Sequence, residues 1–170
     1  MKYRTTLFFL ILAVLSSAFL TGCREEGLSE LENPAVPRLL LEPRGLNYGS
    51  PGSTGKQVRL PVSGSEYTVS STPLVDEFEI LNVELVKVDL GMALMFQLSD
   101  KAARALYRAS VSSIGSVVVL MINGNAIGAR RLDGAISDGN YFTFVELSPE
   151  DMEQLVLDIK ATIVQLQKSK

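Results

Sequence analysis

The chain has no histidine, no tryptophan and a single cysteine in 170 residues. The missing histidine removes the commonest general base and the commonest neutral metal ligand. One cysteine cannot close an intramolecular disulfide, and it leaves no thiolate set for a zinc site. No serine stands in a nucleophile-elbow context, and no acids alternate closely enough to make a calcium loop. Cations are also scarce, with 16 Lys and Arg against 19 Asp and Glu. A mildly acidic chain is a poor fit to non-specific nucleic-acid binding, which needs clustered Lys and Arg to neutralise phosphates. Past the N-terminus, no apolar run approaches the roughly 20 residues of a spanning helix. The length that remains suits one domain.

The N-terminus reads MKYRTTLFFLILAVLSSAFLTGC. Basic Lys2 and Arg4 precede an apolar run from Leu7 to Leu15, and then small and hydroxyl residues. The run is short for a spanning helix and has the layout of a secretory signal. Its end, Leu20-Thr21-Gly22-Cys23, resembles the lipobox of bacterial lipoproteins: an apolar residue, two small ones, then cysteine. The resemblance implies that residues 1–22 are a lipoprotein signal peptide and that Cys23 carries a covalent lipid, the chain's one modification group, with no other cofactor. Several acyl chains then anchor the protein stably where one would be marginal. Removing residues 1–22 takes away two cations and no acid, leaving 14 basic against 19 acidic residues, a net charge of −5. The expected location is the bacterial envelope, with the domain facing the periplasm. By the enterobacterial sorting rule, Arg24 in place of aspartate favours the outer over the inner membrane.

Between residues 23 and 56, Pro34, Pro37, Pro43 and Pro51 alternate with several glycines and no period is sustained. This predicts a flexible tether, with Leu39-Leu40-Leu41 either docking on the domain or forming one turn. Within it, GSPGSTGK superficially matches a phosphate-cradling loop. It lacks the spacing of that motif, and no helix signal follows Lys56.

The domain is expected over residues 57–170. Val58, Leu60, Val62, Tyr67 and Val69 alternate around Ser63-Gly64-Ser65, predicting a hairpin. In ILNVELVKVDL, the inward phase slips at Leu85-Val86, as a β-bulge there would require. Gly91-Met92 then turns into a strand over 93–98. Ser99 offers a helix cap, and Ala102, Ala103 and Leu106 give the following helix a small-residue inner face. Residues 116–122 are apolar on both faces, the mark of a central strand. Asn123-Gly124 supplies the two positive-φ positions of a type I′ turn, and Gly139 closes a later turn. Ser148-Pro149-Glu150-Asp151 starts a last helix with proline at its first position and an acid at its third. Met152, Leu155, Val156, Ile159, Ile163 and Leu166 recur down one side of it. The order predicts an α+β fold, an antiparallel or mixed sheet with two helices on one face.

Two segments carry a family resemblance. ALMFQLSDKAARAL, and the run from Ser116 to Ile159 with its Asn-Gly turn, short strand, later glycine turn and capped helix, are similar to the periplasmic head of SecD, the protein-export subunit. Gly124 and Ala129 match the family's turn glycine and following alanine; Arg130 stands where the family has proline. The resemblance implies a SecD-head-like fold and, without SecD's membrane helices, a lipid-anchored binding or assembly module contacting polypeptide or a secretion partner. It implies no motor, and the missing base and nucleophile point away from an enzyme.

Among side chains, Arg130 and Arg131 are candidate partner-binding residues: either a grip for a carboxylate or phosphate, or a charged guard on a strand edge. Tyr141, Phe142 and Phe144 are either apolar contact surface or core. Asp133 and Asp138 are the acids that a small envelope hydrolase would use. Both precede glycine, the ordinary composition of a turn. A purely structural lipoprotein is the third reading.

Replacing Cys23 by Ser is expected to abolish incorporation of labelled palmitate while the precursor still accumulates. Undiminished labelling of that variant would contradict lipidation at Cys23.

Overall fold

The structure, a computed structural model, describes Leu31, residues 34–43 and residues 55–168. The signal segment, Cys23 and Arg24 lie outside the described residues. Among the described residues, eight strands and two α-helices follow one another as β1 (Pro37–Leu41), β2 (Gly55–Arg59), β3 (Glu66–Ser70), β4 (Ile80–Val88), β5 (Gly91–Leu98), α1 (Asp100–Ser112), β6 (Val117–Ile122), β7 (Asn125–Arg131), β8 (Asn140–Thr143) and α2 (Pro149–Lys168), with a 3-10 turn at Glu77–Glu79 before β4.

All six residues of β6 are buried, and the reason is a second layer on each side. Val118, Leu120 and Ile122 pack with Ala102 and Leu106 of α1 and with Val156, Ile159 and Ile163 of α2. Val117, Val119 and Met121 pack on the other side with Val58, Leu60 and Val69 of the β2–β3 hairpin. Burying each such side chain contributes about 1.5–3 kcal/mol. The two helices therefore share one face of the sheet, as expected, and the small hairpin closes the other face over β1-β6-β7. Every strand pairing among the described residues is antiparallel. A second three-stranded unit, β4-β5-β8, joins the first through a single bridge between Gly128 and Val145.

The tether expected over residues 23–56 is corrected at its C-terminal part. Residues 37–41 form β1, paired with β6 from Pro37↔Ile122 to Leu41↔Val118. Leu39 faces the helix-side core and Leu40 the hairpin-side core, so the apolar run is what a strand covered on both sides needs. Pro37 sits at the strand's first position, where a missing N–H is tolerated. Asn123 fastens the approach to this strand. Its Oδ1 accepts from Val36 N–H at 2.9 Å and its Nδ2 donates to Pro34 O at 2.8 Å. The domain thus begins by residue 34, and β2 starts at Gly55 rather than residue 57.

The β-bulge also lies elsewhere. The register of β4 on β5 shifts between Ile80 and Asn82, then runs unbroken to Val88↔Gly91. Leu81 is the extra residue and points out, half exposed, while Ile80 and Val83 are both buried. The chain turns at Asp89-Leu90, and Gly91 and Met92 already belong to β5.

The expected caps and turns form. Ser99 Oγ accepts from Ala102 N–H at 3.2 Å at the start of α1. At α2, Ser148 Oγ accepts from Asp151 N–H at 3.1 Å and donates to Asp151 Oδ2 at 2.8 Å. Asn123 (φ 50°) and Gly124 (φ 84°) make the tight β6–β7 turn, and Gly139 has φ 75°.

Gly128 carries a constraint of a different kind. A Cβ there would collide with the main-chain carbonyl oxygen of Phe144, because β7 and the chain after β8 approach backbone to backbone, with Glu146 N–H on Ile127 O at 2.8 Å. At Gly124 the space for a Cβ is open and only the positive φ resists a side chain. Gly128→Ala is therefore expected to cost about 2–4 kcal/mol by forcing the two half-sheets apart, against about 1–2 kcal/mol for Gly124→Ala. Urea melts of the two variants check the order; Gly128→Ala melting like wild type would contradict the close approach.

Candidate functional site

Where the hairpin layer stops, the outer face of β4-β5-β8 is left open, and the alternation of β8 decides what is shown there. Tyr141 and Thr143 point inward and are fully buried, whereas Phe142 is half-buried and Phe144 is 40% exposed. The three aromatic residues thus divide between the two roles that the sequence allowed them. Val88 and Leu90 at the β4–β5 turn, Ala93 of β5 and the two phenylalanines line a cleft of about 520 Å³, whose rim includes Asp89, Arg130 and Asp133. Leu90 is 85% exposed at its mouth. Burying it in a partner would recover apolar area that the fold leaves in water.

Arg130 stands in the wall of this cleft. Beyond the Gly128–Val145 bridge, β7 and β8 part, and the carbonyl of Phe142 faces the gap. Arg130 Nη1 donates to that carbonyl at 3.0 Å, and its guanidinium lies 5.9 Å from the centre of the Tyr141 ring, within reach of a cation–π interaction. Tyr141 itself donates its hydroxyl to Val118 O at 3.2 Å, and burial raises its pKa above the ordinary value. Arg131 follows on the opposite face of β7, opposite Val117, and is exposed. Neighbouring strand positions point apart, so the two arginines form no joint grip on one anion.

The two candidate acids are not brought opposite one another. Asp133 is exposed on the rim of the cleft, and Asp138 borders a shallower hollow of about 250 Å³ that shares Arg130 and Phe142 with it. Asp138 is engaged in its turn, with Oδ1 accepting from Asn140 N–H at 3.1 Å.

Glu146 was not singled out by the sequence, yet it fastens the hairpin layer beside the cleft. One of its oxygens, Oε2, accepts from Val62 N–H at 2.7 Å and from Ser63 N–H at 2.9 Å. The Ser63 hydroxyl, then the main-chain N–H groups of Ser63 and Val62, hold this carboxyl below the usual range. Leu90 continues an apparent strand alternation in the sequence, and the Asp89-Leu90-Gly91 order is the signal that marks it as a turn instead.

A second hollow, about 370 Å³, lies between β1, Lys56 and the Asn123-Gly124 turn. Its main cation is already committed: Arg38 pairs with Glu77 through two contacts of 2.7 Å, and the hydrogen bond from Arg38 holds the Glu77 carboxyl below its ordinary pKa. Among the described residues, no group of three or more His, Cys, Asp or Glu could hold a metal ion, and no helix is long and apolar enough to cross a membrane.

No family model and no curated protein matches the chain. Solved structures do. A chain of SecDF, a membrane component that enhances protein export, is 14% identical with a TM-score of 0.53, over 76% of this chain and 63% of that one. A chain of SecDF in its super-membrane-facing form is 13% identical with a TM-score of 0.55, over 76% of this chain and 19% of that one. The chain thus spans less than two thirds of either neighbour. At these identities the likeness is one of fold: the domain is α+β and SecD-head-like.

Proposed function

We propose that the chain is a lipid-anchored protein of the bacterial envelope whose domain binds an apolar stretch of polypeptide in the cleft at the β4–β5 turn. The observation that carries this reading is the exposure of Leu90 beside Phe142 and Phe144, three apolar side chains around a cleft large enough for a few more. The fold likeness to SecDF, which enhances protein export, supports a partner in transit or in assembly. The lipobox supports attachment through Cys23, with the domain facing the periplasm and Arg24 favouring the outer membrane. The module acts by binding, without catalysis and without a cofactor beyond its lipid. Two features support this: no histidine is available as a base, and Asp138 is occupied as a turn acceptor. Arg130 contributes by holding the wall of the cleft, since its guanidinium is already shared between a carbonyl and a ring.

A photo-crosslinker at Phe144 of the anchored protein is expected to capture a reduced, unfolded apolar polypeptide, and one at Leu157, exposed on α2, is not. Leu90→Asp is expected to lower capture at least tenfold with an unchanged melting temperature, while Asp133→Asn leaves capture as in wild type. Equal capture at both crosslinker positions, or full capture by Leu90→Asp, would overturn the assignment.

A further inference from the structure

The outer face of α1 carries more cations than acids. The chain as a whole is acidic, with a formal charge of −3, yet between Asp100 and Ile114 there are three cations and only one acid, Asp100 itself. Lys101 is paired with Glu79 at 2.8 Å. Arg104 and Arg108 are exposed, and neither forms an ion pair among the described residues. Helical spacing places Arg104, Arg108 and Val111 on one side, with Tyr107 beside them and Ile114 in the turn that follows. Tyr107, Val111 and Ile114 are 46%, 48% and 47% exposed. The buried apolar residues of the helix, Ala102, Leu106 and Ala109, lie on the opposite side. The face left to solvent therefore combines free guanidinium groups with apolar side chains.

We propose that this face of α1 is a contact surface for an anionic phospholipid bilayer. The charge pattern identifies the occupant. Arginines with aliphatic stems place their heads among lipid phosphates while Tyr107, Val111 and Ile114 enter the headgroup boundary, the arrangement of an interfacial helix. Each cation near an anionic surface adds about a factor of five to binding. That alone gives a weak affinity, and the leash makes it sufficient. Cys23 and the buried Ala35 are twelve positions apart, so a membrane-bound Cys23 keeps the domain within about 40 Å of the surface even at full extension. A tether running to residue 56 would have allowed roughly 115 Å. At the shorter reach the face is presented to the bilayer at high effective concentration. The inference rests on the proposed N-terminal anchor and is independent of what the cleft binds.

The test uses the full anchored protein carrying Ser112→Cys, an exposed position on α1, labelled with a polarity-sensitive fluorophore and reconstituted into vesicles. A lipid-blocked Cys23 leaves one label per chain and a free Cys23 gives two, so label count reports the anchor separately from the face. With phosphatidylglycerol present, brominated lipid is expected to quench the probe at 112. It is not expected to quench one at Val62→Cys, on the hairpin that covers the other face of the sheet. Pure phosphatidylcholine is expected to give little quenching at either. Arg104→Glu combined with Arg108→Glu is expected to lower the bound-to-free ratio by roughly 30-fold or more. Equal quenching at 112 and 62, or quenching that ignores the charge reversal, would overturn the proposal. So would a probe at 112 that responds to polyglutamate, or to protein concentration without vesicles, since the face would then belong to an acidic polypeptide or to a second copy.

Discussion

The structure depends on one requirement, that a strand apolar on every residue be covered on every side. β6 supplies side chains to two cores at once, and neither core exists without a second layer on its side of the sheet. The helices meet that need on one face and the β2–β3 hairpin on the other. In the plane of the sheet, β7 follows through the Asn123-Gly124 turn, and β1 closes the remaining edge from far away in sequence. Buried main-chain donors and acceptors must be paired, so β1 is as necessary to β6 as the helices are.

The cleft is where this covering runs out. The hairpin reaches as far as Glu146, whose carboxylate receives the Val62 and Ser63 N–H groups at the hairpin tip. Past that point, Val88, Leu90, Phe142 and Phe144 on the outer face of β4-β5-β8 are half-buried or exposed. Gly128 makes the geometry possible by letting β7 and the chain after β8 touch backbone to backbone, and Arg130 fills the gap where they diverge. A close junction and an open cleft are thus consequences of the same splitting of the sheet.

Much of this was legible because its causes are local. Asn-Gly requires positive φ, Ser99 and Ser148 cap helices whose inner faces recur at helical spacing, and six consecutive apolar residues need cover on both sides. What was not legible depends on distant partners. Leu39-Leu40-Leu41 resembles a stray apolar patch among prolines until β6 is placed beside it. The bulge at Leu81 is set by which residues of β4 the β5 register buries, and either Leu81 or Leu85-Val86 satisfies the alternation alone. The division of Tyr141 from Phe142 and Phe144 follows from strand alternation, but the face left open is fixed by the extent of a hairpin about 80 residues earlier. Adjacent arginines invited a joint role that strand geometry denies them.

β1 belongs to the same cooperative unit as β6, and the domain has begun by residue 34 rather than near residue 57. Native-state amide hydrogen exchange measures this directly. Glu42 N–H donates to Val117 O at 2.8 Å, and Leu40 pairs with Val119. Both amides are predicted to exchange with the same opening free energy as those of β6 that pair with β7, equal to that of global unfolding. Amides at Leu40 and Glu42 that exchange like those of a free chain, while β6 stays protected, would contradict it.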